Sequence, residues 1–293
     1  MQWNQYSLRK IEVIMSLYLM KEILKDAQEK KYSVGYYNAT DMQMIRAYIR
    51  AAEDEQSPII IGTAEGLLHY ASFDWITPAL LNAARLAKVP VAVHLDHAYD
   101  FDIVMQALRA GFGSVMFDGS RLSYEENVRI CAEITKVAHP MGVGVECELG
   151  KVGGLDEGEG ISGENIYTNP DEAKDFVEST GADFLAISIG TTHGVYTEKP
   201  KLDLNRLADI RREINVPLVL HGGSGLTTSD IKNCIDGGIS KINIYTDIIK
   251  CGAERIKQEV KKLSYADMIQ ASEDAMYDIT VEKIRICGSN KRA

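Results

Sequence analysis

The 293-residue chain is predicted to be an α/β protein, a single (β/α)8 TIM barrel with a C-terminal helical extension. Three observations lead there. A barrel of this kind needs roughly 250 residues, so the length suits one barrel better than one ordinary domain. Eight short apolar runs bounded by turn residues alternate with stretches of helical periodicity, the pattern of a parallel sheet covered by helices. The side chains able to do chemistry fall at the C-terminal ends of those runs, where a barrel builds its site.

The expected strands are Ser33 to Tyr37, Pro58 to Gly62, Val89 to Leu95, Gly113 to Phe117, Gly142 to Glu148, Asp183 to Ile189, Val216 to Leu220 and Ile239 to Ile244. Several are apolar on both faces, as strands buried between helices and a packed interior must be. Helical periodicity marks Met42 to Glu53, Phe101 to Ala110, Glu125 to Ala138, Pro170 to Thr180, Leu204 to Ile214 and Ser229 to Asp236. Asp41, Ser123, Asn169 and Ser229 stand where N-caps are wanted, and Gly111 and Gly181 where a left-handed C-cap is wanted. Asp247 to Lys262 is expected as the last barrel helix and Tyr265 to Arg285 as the helical extension. Residues 15–293 thus read as one domain and residues 1–14 as an N-terminal extension, with Met15 the natural beginning.

Hydrophobic residues at 45% and charged residues at 25% match a soluble globular protein. No apolar run approaches the roughly 20 residues of a membrane span. A net charge of -10 without a basic stripe argues against nucleic acid as a partner. The five cysteines are far apart and contain no CxxC pair, which suits reduced thiols in a cytoplasmic protein. The N-terminal segment lacks the continuous apolar core of a signal peptide.

Of the six histidines, His94, His97, His193 and His221 sit at expected strand ends, and Asp96 separates the first two. Three imidazoles from different strand ends can hold one metal ion and leave a position open, which suits catalytic zinc beside an acid/base carboxylate. Asp118, Glu146, Glu148 and Asn243 share that rim. Glycine gives a second signal. His221-Gly222-Gly223-Ser224-Gly225 precedes one helix and Asn243-Ile244-Tyr245-Thr246 another, so backbone N–H groups and helix N-termini converge after strands seven and eight, the usual barrel phosphate site. The stretch Gly150 to Tyr167 is too long for an ordinary βα connection and has the composition of a mobile lid. Its Asp156, Glu157 and Glu159 are candidate bases.

At this point the chain resembles the class II, zinc-dependent ketose-bisphosphate aldolases, which include fructose- and tagatose-bisphosphate aldolases. The match runs from about Leu17 to Ser289 through six ordered motifs: HLDH (His94 to His97), SVMFDGS (Ser114 to Ser120), VECELGKVGG (Val145 to Gly154), IGTTHGVY (Ile189 to Tyr196), LVLHGGSG (Leu218 to Gly225) and KINIYT (Lys241 to Thr246). The resemblance implies that His97, His193 and His221 bind a catalytic Zn2+, and that Asp96 exchanges a proton with the oxygen at C4. It implies that Asp118 and Glu148 hold an alternate or second metal position. Gly194, Gly222 to Ser224, and Asn243, Ile244, Tyr245 and Thr246 match the part that binds dihydroxyacetone phosphate, often with a monovalent cation (Na+ or K+) nearby. Asp156 falls where the family usually has the glutamate that takes the C1 proton, and Glu157 is the neighbouring candidate. A phosphorylated ketose substrate, glycolytic chemistry and a homodimer or homotetramer are the further implications.

Two departures bear on substrate. Fructose-bisphosphate branches commonly have Asp where this chain has Tyr245 and Arg where it has Ile249. The dihydroxyacetone-phosphate half is therefore expected unchanged, whereas the aldehyde half belongs either to a glycolytic bisphosphate or to another sugar or sugar-acid phosphate, with Lys250 or a partner subunit as a compensating group. A Schiff-base aldolase needs a lysine at the catalytic rim, and the expectation is that none is well placed: Lys241 begins strand eight at the opposite rim and Lys151 lies in the long loop. A metal-dependent hydrolase would carry an early HxH pair, absent here. A non-catalytic accessory subunit would be expected to have lost metal ligands, and all three persist.

Overall fold

The computed structural model describes residues 17–156, 160–161, 166–196, 198 and 200–293. The expected extension, residues 1–14, and Met15 lie outside the described residues, as do Glu157 and Glu159. Eight strands, β1 (Val34–Asn38), β2 (Ile59–Ala64), β3 (Val91–Ala98), β4 (Ser114–Phe117), β5 (Gly144–Leu149), β6 (Phe184–Ile187), β7 (Leu218–Leu220) and β8 (Ile239–Asn243), close a barrel in sequence order. All eight pairings are parallel. Each expected strand is present, several starting one to two residues later than their apolar runs.

Helix α1 (Met20–Lys30) precedes β1; α2 (Met42–Glu55), α3 (Phe73–Leu86), α4 (Phe101–Ala110), α5 (Tyr124–Ala138), α6 (Pro170–Thr180), α7 (Leu204–Glu213) and α8 (Thr228–Asp236) fill the crossovers. Helices α9 (Thr246–Glu259) and α10 (Tyr265–Cys287) follow β8. Asp41, Ser123 and Asn169 accept cap hydrogen bonds, and Gly111 and Gly181 adopt the left-handed C-cap. The start of α8 differs from expectation: Thr227, not Ser229, is the N-cap. Its hydroxyl accepts the Asp230 N–H while Asp230 caps the Thr227 N–H in return, a capping box that outcompetes the later serine.

Two hydrophobic layers hold the barrel. Outward-facing strand residues such as Val93, Leu95, Val115 and Leu220 pack under the helices. Inward-facing Val34, Tyr36, Ile60, Ala92, Met116, Phe184 and Val219 join Met20, Ile23, Leu24 and Ala27 of α1, which plugs the N-terminal mouth. The apolar filling stops partway up. Above it the same alternating positions carry His94, Asp96, Glu146, Glu148, Lys241 and Asn243, so the two-residue period of the strands builds a polar upper layer on an apolar base.

Gly62 marks how tightly that transition is packed. A Cβ there would lie 1.8 Å from the His94 carbonyl oxygen and 2.9 Å from the Tyr36 hydroxyl. Gly62→Ala is expected to destabilise the fold by about 2–3 kcal/mol, because the clash is with backbone that cannot yield. A drop in the denaturant midpoint checks this; an unchanged midpoint would mean that β2 and β3 separate freely.

Candidate active site

His94, Asp96 and His97 come from one strand, and strict alternation would send Asp96 and His97 to opposite faces. A register shift between Leu95 and Ala98 in the β3–β4 pairing coincides with φ of 21° at His97, on the sparsely populated positive side for a non-glycine residue. The bulge brings both side chains to the barrel's catalytic end. The His97 ring then meets the His221 ring at 4.4 Å and the His193 ring at 4.8 Å, centroid to centroid, both edge-on.

Each carboxylate around these rings has a defined task. His97 Nδ1 lies 3.0 Å from Asp118 Oδ2, and His221 Nε2 lies 3.0 Å from Glu146 Oε1. The remaining nitrogens, His97 Nε2 and His221 Nδ1, face each other at 2.6 Å. With one nitrogen of each ring oriented by a carboxylate, the other is presented to a shared electrophile, the arrangement that metal-ligating histidines use. Donor atoms of His97, His193 and His221 all lie within 4.8 Å of one another, and so do those of His97, Asp118 and Glu148. The three-histidine donor set fits zinc, and the second group shares His97 with it.

Electrostatics separate the roles of the rings. Burial and the neighbouring His97 hold His221 well below the usual imidazole range, so it is a neutral donor. Burial pushes His97 the same way, but Asp96, Asp118 and Glu148 outweigh it and raise His97 well above that range. For Asp118, burial is overcome by the bond and charge of His97 and by the Ser120 N–H, which bring its carboxyl down to about 2. Burial of Asp96 is likewise outweighed, by His97, Lys241 and His221 and by the Asn243 amide, leaving its carboxyl below the ordinary carboxylate value.

Asp96 is gripped from two sides. Asn243 Nδ2 donates to both its oxygens at 2.9 Å, and Asn38 Nδ2 donates at 3.3 Å. Asp96, His97, His193, Gly194, Gly222, Ser224, Asn243, Tyr245 and Thr246 line one cleft. Gly223 lies just behind it, its N–H on the Asn243 carbonyl. Ile244 differs from this set: its side chain turns into the hydrophobic core and only its backbone follows the loop. The long loop pairs strand Gly153–Asp156 with Thr192–His193 in parallel, Gly154 opposite His193. Asp156 thus ends a strand anchored to the His193 segment; its side chain, like Glu157, lies outside what the structure describes.

Sequence inspection assigned no role to Glu146 and misplaced Lys241. Lys241 does not begin β8 at the far rim: it is the third residue of that strand, fully buried, with Nζ 2.9 Å and 3.2 Å from the two Glu146 oxygens and 3.9 Å from Asp96. The signal was available, because Lys241 and Asn243 stand two residues apart and so share one face of the strand. Lys241 supplies the cation among His94, Asp96 and Glu146, and through Glu146 it holds the orientation of His221. Both of its charge partners are carboxylates of the site, so it is occupied as a structural cation and not presented to substrate.

A model of class-II fructose-bisphosphate aldolase matches residues 18–292 of the chain. The chain belongs to this family. The aldolase chain is 39% identical over 289 residues to the fructose-bisphosphate aldolase of Geobacillus stearothermophilus, covering 95% of this chain and 99% of that one. Among solved structures it is similar to the YdjI aldolase from Escherichia coli K12, with a TM-score of 0.87, 35% identity, and coverage of 94% and 99% of the two chains. A putative fructose-1,6-biphosphate aldolase from Coccidioides immitis also superposes with a TM-score of 0.87, at 29% identity over 94% of this chain and 97% of that one. Aldolase membership makes the chain a lyase.

Proposed function

We propose that the chain is a zinc-dependent aldolase that reversibly cleaves a ketose 1,6-bisphosphate or ketose 1-phosphate into dihydroxyacetone phosphate and an aldehyde. The observation that carries this reading is a cleft lined by Asp96, the glycine-rich turn after β7 and two histidines, His97 and His193, whose donor atoms cluster with those of the buried His221. His97, His193 and His221 would hold the zinc, with Asp118 and Glu148 at the alternate position. When bound, the ion polarises the substrate carbonyl and stabilises negative charge on its oxygen.

The chain's own residues account for the remaining tasks. The backbone at Gly222 and Ser224 and the N-terminus of α9 at Thr246 offer N–H groups and a positive dipole end to the substrate phosphate, while Gly223 ties the turn to β8 through its N–H on the Asn243 carbonyl. A Cβ at Gly222 would stand 2.4 Å from the Thr192 carbonyl oxygen, so only glycine allows this turn to lie against the His193 segment. Asp96, fixed by Asn243 and Asn38, transfers the proton at the hydroxyl of the bond being broken. Asp156 or Glu157 takes or returns the proton at C1. A monovalent cation (Na+ or K+) beside the phosphate belongs to the same proposal.

The aldehyde half is less constrained. Tyr245 lines the cleft where fructose-bisphosphate branches have an acid, and Ile249 is partly exposed on α9. The similarity to the Geobacillus enzyme favours a glycolytic bisphosphate; the substitutions at these two positions favour a different sugar or sugar-acid phosphate. Release of dihydroxyacetone phosphate from a panel of ketose 1-phosphates and 1,6-bisphosphates, with and without chelator, tests metal and substrate together. Cleavage of none of them by the zinc-loaded protein would overturn the reading and leave an accessory subunit in its place.

The proposal includes a cytoplasmic homodimer or homotetramer. Free thiols at all five cysteines are compatible with that compartment, and among the described residues no helix is long and apolar enough to cross a membrane. On α3, Trp75, Ala79, Asn82 and Leu86 form one stripe by helical spacing, with Trp75 81% exposed. Ala79, Asn82 and Leu86 of that stripe also line a groove, together with Ile45, Ile49, Leu81, Arg46, Arg85 and Glu53. A face that carries an apolar projection, an apolar groove and both signs of charge is suited to a second copy of itself about a two-fold axis. Sedimentation is expected to give a mass of at least two chains, reduced by Trp75→Glu; a monomeric wild type would remove the oligomer from the proposal.

A further inference from the structure

We propose that Lys283, on the C-terminal helix α10, is a positioning residue for the phosphate loop and acts through Asp247. The inference rests on reading Gly222 to Ser224 and Asn243 to Thr246 as the phosphate-binding part. Lys283 is only 5% exposed, and its Nζ lies 2.5 Å from Asp247 Oδ2. That same oxygen accepts the Gly225 N–H at 3.1 Å. The Asp247 and Tyr245 N–H groups each donate to Ser224 Oγ at 3.2 Å. Asp247 and Ser224 therefore stitch the turn after β7 to the first turn of α9, and Lys283 is the cation behind the stitch.

The charge placement gives this contact a consequence beyond fold stability. Asp247 is in the first turn of α9, the end whose N–H groups and dipole would receive the substrate phosphate. A bare carboxylate there would compete with a phosphate dianion for the same positive end and repel it. Lys283 offsets that charge from the side away from the cleft, so Asp247 can align Gly225 without opposing the ligand. A surface lysine could not do this as well, since an exposed pair is screened and contributes little. The helical extension thus reaches the active site through one ion pair, its lysine buried and its aspartate half-buried, without lining the cleft.

Lys283→Met removes the charge and keeps much of the stem's volume; Asp247→Asn removes the opposing charge and keeps an acceptor for Gly225. Binding of inorganic phosphate and of dihydroxyacetone phosphate to the zinc-loaded protein is the first readout, and the split between KM and kcat on the best substrate is the second. Lys283→Met is expected to weaken both ligands and raise KM about tenfold, with kcat changed less than about twofold. Zinc content should stay at the wild-type level, and Lys283→Arg should recover most of the affinity. Asp247→Asn in the Lys283→Met background is expected to restore part of the loss, because the uncompensated carboxylate is gone. Unchanged phosphate affinity in folded Lys283→Met, or a fall in kcat with KM intact, overturns the proposal and leaves Lys283 as a tie between α10 and α9. If Lys283→Met does not fold, Lys283→Arg and Asp247→Asn decide: near-wild-type phosphate affinity in Lys283→Arg together with tighter binding in Asp247→Asn, where a negative charge beside the phosphate is gone and the lysine remains, supports the pair, and any other combination overturns it. A wild-type protein that binds neither phosphate nor dihydroxyacetone phosphate refutes the phosphate-loop reading itself, a result distinct from failure of the relay.

Discussion

Asp96→Ala is expected to lose turnover by about 10²–10⁴-fold while still binding zinc. Asp96 is almost wholly buried, yet it lines the cleft beside His97, and both its oxygens are directed by the Asn243 amide. Such a carboxylate is held in one orientation with little freedom to lose in the reaction, the condition for efficient proton transfer. It is not among the cluster formed by His97, His193 and His221, so its removal leaves those donor atoms in place. Lys241 keeps both Glu146 oxygens as partners in the variant, which limits the structural damage. Dihydroxyacetone phosphate release and zinc content per chain are the two measurements. Wild-type turnover in Asp96→Ala would take Asp96 out of the mechanism, and loss of zinc together with activity would make it a support of the metal centre.

Removing the metal should abolish activity altogether, and borohydride in the presence of substrate should leave the enzyme active. Without the ion, nothing in the histidine cluster can stabilise charge on the substrate oxygen as strongly, and the C1 proton is very weakly acidic. Restoring zinc is expected to recover the rate, because the ligand rings are held by Asp118 and Glu146 and not by the ion alone. Inactivation by borohydride would point to an imine on a lysine. The placement of Lys241 makes that outcome unexpected, with its Nζ between the oxygens of Glu146 and out of solvent. Full activity in chelator would overturn the zinc assignment.

Much of the site was legible in the chain because its residues sit at strand ends, and strand ends are marked by apolar runs giving way to glycine and polar residues. His97, His193 and His221 are separated widely in sequence, yet each follows such a run, and barrel closure brings such ends together. Lys241 was less legible because its position depends on which residues of β8 face inward, and an error in where a strand begins changes the apparent depth of every residue on it. Glu146 could be placed at the rim but not given a partner, since its contacts come from β3, from the residue that follows β7, and from β8. The bulge at His97 had no local sign at all: neither Asp96 nor His97 is a residue that favours positive φ as glycine does.

By itself the sequence determined the architecture, the family resemblance and the inventory of reactive groups. These follow from short-range pattern: alternation within strands, helical period between them, caps at their ends and motifs of a few adjacent residues. Tertiary structure alone decided which group acts on which. It turned His97 inward beside Asp96, set Glu146 between His221 and Lys241, and brought Lys283 to Asp247 across 36 positions of chain. The physical reason is that hydrogen bonds and ion pairs depend on separations of a few ångströms, and in a closed barrel those separations are set by register and packing between elements, which no local run of residues specifies.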